Sequence, residues 1–210
     1  MRIRTTLAAS SSTLLFACGG GVAHATDGPS AAGGTLPVPG TSFAVSENGD
    51  LVMECDGVVH RIEVHGAGRL QVGDQLTGKQ VPIGQPTFAV STDAEELTGH
   101  EAELGTVTVS AKEPVVGEFT AASAARPYPA AQSLGQDVTV TMEHSPCRAG
   151  QRGVYASKAA FPLLNTDLTD FPPRNAVYQL TTPVELDDVS DPSAAPFTLT
   201  GFVVTVDRLP

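Results

Sequence analysis

Short runs in which apolar and polar residues alternate recur along most of this chain, and this period of two is typical of β-strands. The clearest run spans residues 137–143, where Val138, Val140 and Met142 alternate with polar side chains. Glycine, proline and Asp-Gly pairs separate the runs, as expected for strands joined by turns. The pattern predicts strands within the ranges 42–45, 51–55, 58–65, 70–72, 80–83, 87–91, 104–112, 115–121, 137–143, 154–157, 176–182 and 197–207.

The segments between these runs predict turns and loops. Asp56-Gly57, flanked by alternating segments, predicts a tight hairpin, and Asn48-Gly49-Asp50 predicts another turn. Residues 93–97 predict a single helical turn. The Ala-, Ser- and Pro-rich residues 122–135 predict a long loop, and residues 187–196 predict an acidic loop.

The last run contains a shift in its alternation. Phe197 and Leu199 precede Gly201 with one parity, and Phe202, Val204 and Val206 follow it with the other. A β-bulge at Gly201 would keep both groups of apolar residues on the same face of one long strand.

Together these patterns predict an all-β fold without a helix longer than one or two turns. Regular short strands with Gly/Pro turns and no crossover helices favour a single-domain antiparallel β-sandwich of about ten strands over residues 42–210. A closed β-barrel is the alternative. The 21 glycines and 16 prolines suit either architecture.

The N-terminus has the order of features found in an export signal. Arg2 and Arg4 come first, an apolar stretch follows, and Ala23-His24-Ala25 offers small residues at a cleavage site. We therefore predict a signal peptide over residues 1–25 and a flexible linker over 26–41, where glycine, proline, serine and alanine show no periodicity. The predicted localisation is extracytoplasmic, with the protein secreted.

A second interpretation of the N-terminus is that it carries a lipid. Leu15-Phe16-Ala17-Cys18 resembles a loose bacterial lipobox, followed by three glycines that could begin a tether. In that case Cys18 is the candidate lipidation residue and anchors the protein to the membrane surface. The phenylalanine is uncommon in such motifs, so secretion is preferred, and the alternative stays open.

Two further cysteines, Cys55 and Cys147, lie in the body of the chain. Outside the cytoplasm two thiols usually form one disulfide, so we predict a bond between them. A metal site is the weaker interpretation, because no C-x-x-C pair is present. We predict no metal and no cofactor.

The charge of the chain narrows the choice of partners. Twelve basic and 23 acidic residues give a formal net charge of −11. Nucleic acids and anionic membranes repel such a chain, so no nucleic-acid partner is expected. The apolar N-terminal stretch is too short and interrupted for a transmembrane helix. The chain has no tryptophan and only three tyrosines, and sugar-binding sites usually present exposed aromatic surfaces, so a sugar-binding function loses weight.

The most site-like segment follows Cys147. Arg148 and Arg152 lie four residues apart, and together with His144 they form a candidate anion or ligand loop, stiffened at its base by the disulfide. Arginines that balance nearby acids are the simpler interpretation. His144-Ser145 lacks the G-x-S-x-G context of a hydrolase, and we assign no catalytic residue.

The expected function is therefore that of an exported, non-catalytic binding or interaction protein at or outside the cell envelope. Its partner, an unknown protein or small molecule, would meet it at sheet edges or at residues 144–153. A carrier of a small apolar ligand or lipid with a β-barrel is the first alternative. A secreted hydrolase is the second.

Overall fold

The structure is a computed structural model that describes residues 34–210 apart from residues 80, 95, 149 and 195. The predicted signal peptide 1–25 and Cys18 lie outside these residues. The described strands are β1 (Ser42–Cys55), β2 (Val58–Gln75), β3 (Thr87–Ala94), β4 (Leu97–Glu101), β5 (Gly105–Ala111), β6 (Val116–Thr120), β7 (Ala130–Gln136), β8 (Val138–Met142), β9 (Gly153–Ser157), β10 (Phe161–Leu168), β11 (Ala176–Leu180), β12 (Val184–Asp188) and β13 (Phe197–Arg208).

The prediction of an all-β, antiparallel single domain is confirmed. Thirteen strands join one hydrogen-bonded sheet in which the strand pairs are antiparallel. Among the described residues, no helix is long and apolar enough to cross a membrane. The Asp56-Gly57 hairpin is also confirmed, since both residues have the positive φ angles, 48° and 80°, that a type I′ turn requires.

The strand count exceeds the predicted ten because several strands carry weak apolar patterns. Residues 130–136 form β7 inside the predicted long loop, and residues 97–101 form β4, so the helical turn predicted at 93–97 was wrong. Part of the predicted acidic loop is β12. In each case pairing with neighbouring strands outweighs low intrinsic β-propensity.

The turn predicted at residues 48–50 was also wrong, because β1 runs through it without a break. Asn48, Gly49 and Asp50 pair with β2 on one side and with β13 on the other. Glycine suits this position because a Cβ atom there would lie 2.9 Å from the carbonyl oxygen of Val203. Two complete ladders therefore override the local turn signal.

The pairings close the sheet into two rings that share β1, β2 and β13. In the first ring the neighbours follow the order β1, β13, β11, β10, β7, β6, β3, β2 and return to β1. In the second ring they follow β1, β2, β4, β5, β8, β9, β12, β13 and return to β1. Each described strand therefore has hydrogen-bonded neighbours on both sides. We expected a partner to bind at a sheet edge, but no unpaired edge is found among the described strands.

The three shared strands connect the interiors of the two rings. Odd-numbered residues of β1 point inward, with Val45 and Glu47 in the first ring and Met53 and Cys55 in the second. The register of β13 shifts where Val52 pairs with Gly201 and Met53 with Leu199. This shift confirms the predicted bulge. It leaves the five apolar residues of the inward face buried: Phe197, Leu199, Phe202, Val204 and Val206.

The outer end of the first ring is covered by loops and by the segment that precedes β1. Within the predicted linker, residues 34–41 contact the body of the protein: Leu36 packs against the core and Pro37 is buried. The hydroxyl of Tyr128 donates a hydrogen bond to the carbonyl oxygen of Thr35 at 3.0 Å. This segment therefore helps to cover the loop between β6 and β7.

Candidate functional site

The predicted disulfide is present at the outer end of the second ring. Cys55 ends β1, and Cys147 lies in the loop between β8 and β9, with Cα atoms 5.9 Å apart. The bond joins residues 92 positions apart and fastens this loop to the hairpin of β1 and β2. A disulfide is compatible with an extracytoplasmic location.

Arg148, in the same loop, is occupied by acidic side chains of the protein itself. Its Nη2 atom lies 3.0 Å from Asp188 Oδ2 and 3.1 Å from Asp191 Oδ2. The Asp188 side chain is only 5% exposed, so the ion pair is partly shielded from water. The N–H groups of Nη2 do not form hydrogen bonds with either oxygen, so this contact is ionic. The positive charge of Arg148 is therefore balanced by the two carboxylates.

The structure does not bring the other residues of the candidate anion loop to the same place. Arg152 lines an open groove on the outer face of β5 and β8, together with Thr106, Thr141 and Glu143. Arg148 instead lines a cleft beside the disulfide. His144 is exposed. An anion site in this loop stays a prediction, with two arginines that line separate grooves.

Ser145, next to His144, has a structural partner. Its side chain is buried, and its Oγ atom lies 2.6 Å from the hydroxyl oxygen of Tyr155. This hydrogen bond holds the start of the loop against β9. Among the described residues no group of three or more His, Cys, Asp or Glu side chains is placed to hold a metal ion.

The interior of the first ring is a different environment, lined by apolar and aromatic side chains. The ring of Phe119 contacts those of Phe171 and Tyr128 edge to face, with centroids 5.4 and 6.1 Å apart. Phe43 contacts Phe171 in the same way at 5.8 Å. These aromatic residues lie beneath the covered outer end of the ring, where their large, rigid side chains pack against one another.

Glu47 places a carboxyl group inside this apolar ring. It is 6% exposed, and no hydrogen-bond partner of its carboxyl group is found among the described residues. Burial raises its pKa to about 7, because a charged carboxylate loses its hydration in an apolar interior. Near neutral pH this group can therefore accept a hydrogen bond as a carboxylate or donate one as an acid.

Tyr178 and Gln132 complete the polar cluster. The hydroxyl of Tyr178 donates a hydrogen bond to Gln132 Oε1 at 2.9 Å. Burial, and then the nearby charge of Glu47, raise the pKa of Tyr178. Gln132 is 1% exposed, and its Nε2 atom has no hydrogen-bond partner in the described structure. We call these three residues, Glu47, Gln132 and Tyr178, the interior polar cluster.

The topology explains why these residues meet. Val204 of β13 pairs with Tyr178 on one side and with Gly49 on the other, two residues from Glu47. Gln132 of β7 reaches the same interior from across β10, where it pairs with Asn165. All three side chains point inward because each shares the parity of its buried neighbours along its strand.

Local sequence patterns did not reveal this cluster. They predicted a turn at residues 48–50 and a loop at 122–135, so Glu47 and Gln132 were not assigned to strands. A usable signal was present: Val45, Leu51, Met53 and Cys55 have the parity of Glu47, and Ala130 and Leu134 have the parity of Gln132. A polar residue at an inward position of an alternating run indicates a buried polar group.

Comparisons with known proteins describe the fold. No family model and no curated protein sequence matches the chain. The fold resembles that of DynF. DynF is from the dynemicin biosynthesis pathway of Micromonospora chersina, and it is 18% identical to this chain. The match has a TM-score of 0.62 and covers 83% of each chain. At this identity the likeness concerns architecture, and it assigns no residue of the interior polar cluster.

Proposed function

We propose that this protein is an exported, non-catalytic binding protein that holds a small, mainly apolar molecule inside the first ring. The observation that carries the proposal is the unpartnered amide nitrogen of Gln132, which is buried in an apolar ring and linked through Tyr178 to the vicinity of Glu47. A buried donor without a partner costs about 1 to 3 kcal/mol. A ligand that supplies the missing partner recovers this energy on binding.

The composition of the ring interior suits such a ligand. The aromatic residues near its outer end provide apolar contact area, and the interior polar cluster provides a small number of orienting groups. Binding sites for small molecules commonly have this composition. Ala130 and Ala176, two residues from Gln132 and Tyr178 on the same inward faces, carry small side chains beside the cluster. A ligand would enter at the outer end, which loops cover.

Two further observations support this choice of partner. The described strands offer no unpaired edge for strand addition by a protein partner. DynF, which has a similar fold, is from a biosynthetic pathway. A small molecule is therefore a suitable first ligand to test for this protein. The hydrolase alternative has less support, because Ser145 is buried and bonded to Tyr155.

A fluorescent apolar probe tests the proposal. N-phenyl-1-naphthylamine, which is uncharged and brightens in apolar surroundings, should bind the purified mature protein saturably with one site. Ala130→Val narrows the first ring and should weaken binding at least about fivefold. Val140→Ile, which adds bulk in the second ring, serves as the matched control and should leave binding unchanged. Absence of saturable binding, or equal effects of both substitutions, would contradict the proposal.

The export part of the proposal is tested separately. The intact mass of the protein recovered from the culture medium or envelope of an expressing bacterium identifies its first residue. Cleavage after Ala25 leaves Thr26 first, whereas lipidation leaves an acylated Cys18. A full-length chain that stays in the cytoplasm would remove both interpretations.

A further inference from the structure

We infer that the polar end of the bound molecule is an uncharged carbonyl group whose oxygen accepts a hydrogen bond from Gln132 Nε2. The inference rests on the proposed function and goes further, because it assigns the chemical class of the ligand. It depends on the orientation of one amide group and on the charges that face it.

The orientation of the Gln132 amide is set by Tyr178. The Tyr178 hydroxyl donates to Oε1 at 2.9 Å, so the oxygen end of the amide is occupied. The nitrogen end, with its two N–H groups, lies on the opposite side of the amide without a partner. An amide nitrogen is only a donor. The ligand atom that meets it must therefore be an acceptor, which excludes an ammonium nitrogen at this position.

The charge of the ligand is restricted by Glu47. Its carboxyl group lies in the same interior, and no hydrogen bond or ion pair between Glu47 and a basic side chain is found among the described residues. An anionic ligand would add a second negative charge to a region with little water, where like charges repel strongly. The acceptor is therefore best supplied by a neutral group, and a carbonyl oxygen is a strong neutral acceptor.

The remainder of the ligand is apolar, as the neighbours of Gln132 show. Phe119 pairs directly with Gln132 across β6 and β7, and it is fully buried. Directly opposed residues have Cβ atoms about 5 Å apart. Leu134 and Ala130 flank Gln132 on the same face. A carbonyl group bonded to Nε2 would thus have its carbon skeleton against these three side chains.

A panel of ligands with matched chain length tests the inference. The panel consists of 2-undecanone and 1-undecene, which share an eleven-carbon skeleton and lack charge, together with undecanoate and undecylamine. Each is titrated to displace N-phenyl-1-naphthylamine at pH 8. We expect 2-undecanone to bind about tenfold more tightly than 1-undecene, the effect of one buried hydrogen bond. Undecanoate should bind more weakly than 2-undecanone, and the affinity of undecylamine, which has no acceptor for Nε2, should not depend on Gln132.

The variants locate the effect. Gln132→Leu should keep binding of the probe and abolish the preference for the ketone, and Gln132→Met is the substitute if the first variant does not fold. Gln179→Leu removes an exposed glutamine on β11 and is the matched control, expected to retain the preference.

The outcomes separate the inference from the proposed function. Equal affinities of ketone and alkene, or a preference that survives Gln132→Leu, overturn the carbonyl assignment while binding in the ring stands. Failure of the probe itself to bind overturns both. Tighter binding of undecanoate than of 2-undecanone also overturns the assignment, since it would show that Glu47 tolerates a second negative charge.

Discussion

The two rings share three strands but differ in how their buried polar groups are satisfied. In the second ring, the Tyr155 hydroxyl lies 2.6 Å from Ser145 Oγ, and Asp188 accepts backbone hydrogen bonds from residues 190 and 191 in addition to its ion pair with Arg148. The disulfide closes its outer end. In the first ring, Gln132 Nε2 has no partner, and Glu47 is buried without an opposite charge.

This difference suggests different roles for the two rings: the second ring as the scaffold and the first ring as the proposed binding site. Buried polar groups that already have partners, such as Tyr155 and Asp188, stabilise the second ring and offer a ligand nothing that they lack. A ring with an unpartnered donor and a desolvated acid gives up stability when it is empty, and it can regain stability through a ligand. Substitutions can alter one ring at a time.

Removal of the disulfide should have the largest effect, and it acts on the second ring. Cys55→Ala combined with Cys147→Ala removes a bond between residues 92 positions apart. Because this bond restricts the unfolded chain, its removal should lower the free energy of unfolding by about 3 to 5 kcal/mol. Urea unfolding under non-reducing conditions measures the loss. Under conditions where the variant stays folded, probe affinity in the first ring should be unchanged. A loss below about 1 kcal/mol, or weakened probe binding, would contradict the separation of the rings.

Glu47→Gln tests the cost of the buried acid in the first ring. The folded protein keeps the proton of Glu47 up to about pH 7, whereas the unfolded chain loses it near pH 4.5. Unfolding therefore releases a proton between these values, and the stability of the wild type falls as the pH rises through this window. The substitution should raise the free energy of unfolding at pH 8 by up to about 3 kcal/mol and change it little at pH 4.5.

Glu54→Gln is the control for this pH dependence. Glu54 lies on the same strand with its side chain on the exposed face, so its substitution should leave the pH profile of stability unchanged. Urea unfolding at half-unit intervals from pH 4.5 to pH 8 measures both variants. Parallel profiles for the wild type and Glu47→Gln would show that the acid is hydrated and would weaken the case for a dry interior.

Paired removals of hydrogen-bonding groups should give the smallest effects, with opposite signs. In the first ring, Gln132→Leu with Tyr178→Phe removes the unpartnered donor and should stabilise the empty protein by about 1 kcal/mol. In the second ring, Ser145→Ala with Tyr155→Phe removes a satisfied pair and should destabilise it by about 1 kcal/mol. Thermal unfolding of the four single variants and both double variants measures the signs. Equal signs would remove the distinction between the rings.

Local sequence patterns predicted the strands that carry strong alternation. Residues 138–142 and the two halves of β13 were recognisable because Val, Met, Leu and Phe at every second position define a buried face. The bulge at Gly201 followed from the same parity. Four strands were missed. Those at 97–101, 130–136 and 184–188 contain Ala, Gln, Glu or Asp, which have low β-propensity, and the strand at 161–168 contains Pro162; pairing with neighbouring strands holds all four in place.

Local sequence patterns could not predict the interior polar cluster, for a related reason. Glu47, Gln132 and Tyr178 come from β1, β7 and β11, which are far apart in sequence and are not direct neighbours in the sheet. Their meeting depends on the closure of the first ring around a common interior. Conversely, the arginines of the loop at 144–153 stood out in the sequence, and the structure directs them to separate grooves.

The sequence alone determined the class of secondary structure, because the alternation of apolar and polar residues is a local property of each strand. It also determined the pairing of Cys55 with Cys147, because these are the two cysteines in the body of the chain. Tertiary structure decided how the strands close, which polar residues are buried, and which ring is left with an unpartnered donor. The physical reason is that burial is a property of the whole ring: a glutamine has the same side chain on either face of a strand, and only closure of the sheet removes water from one of them.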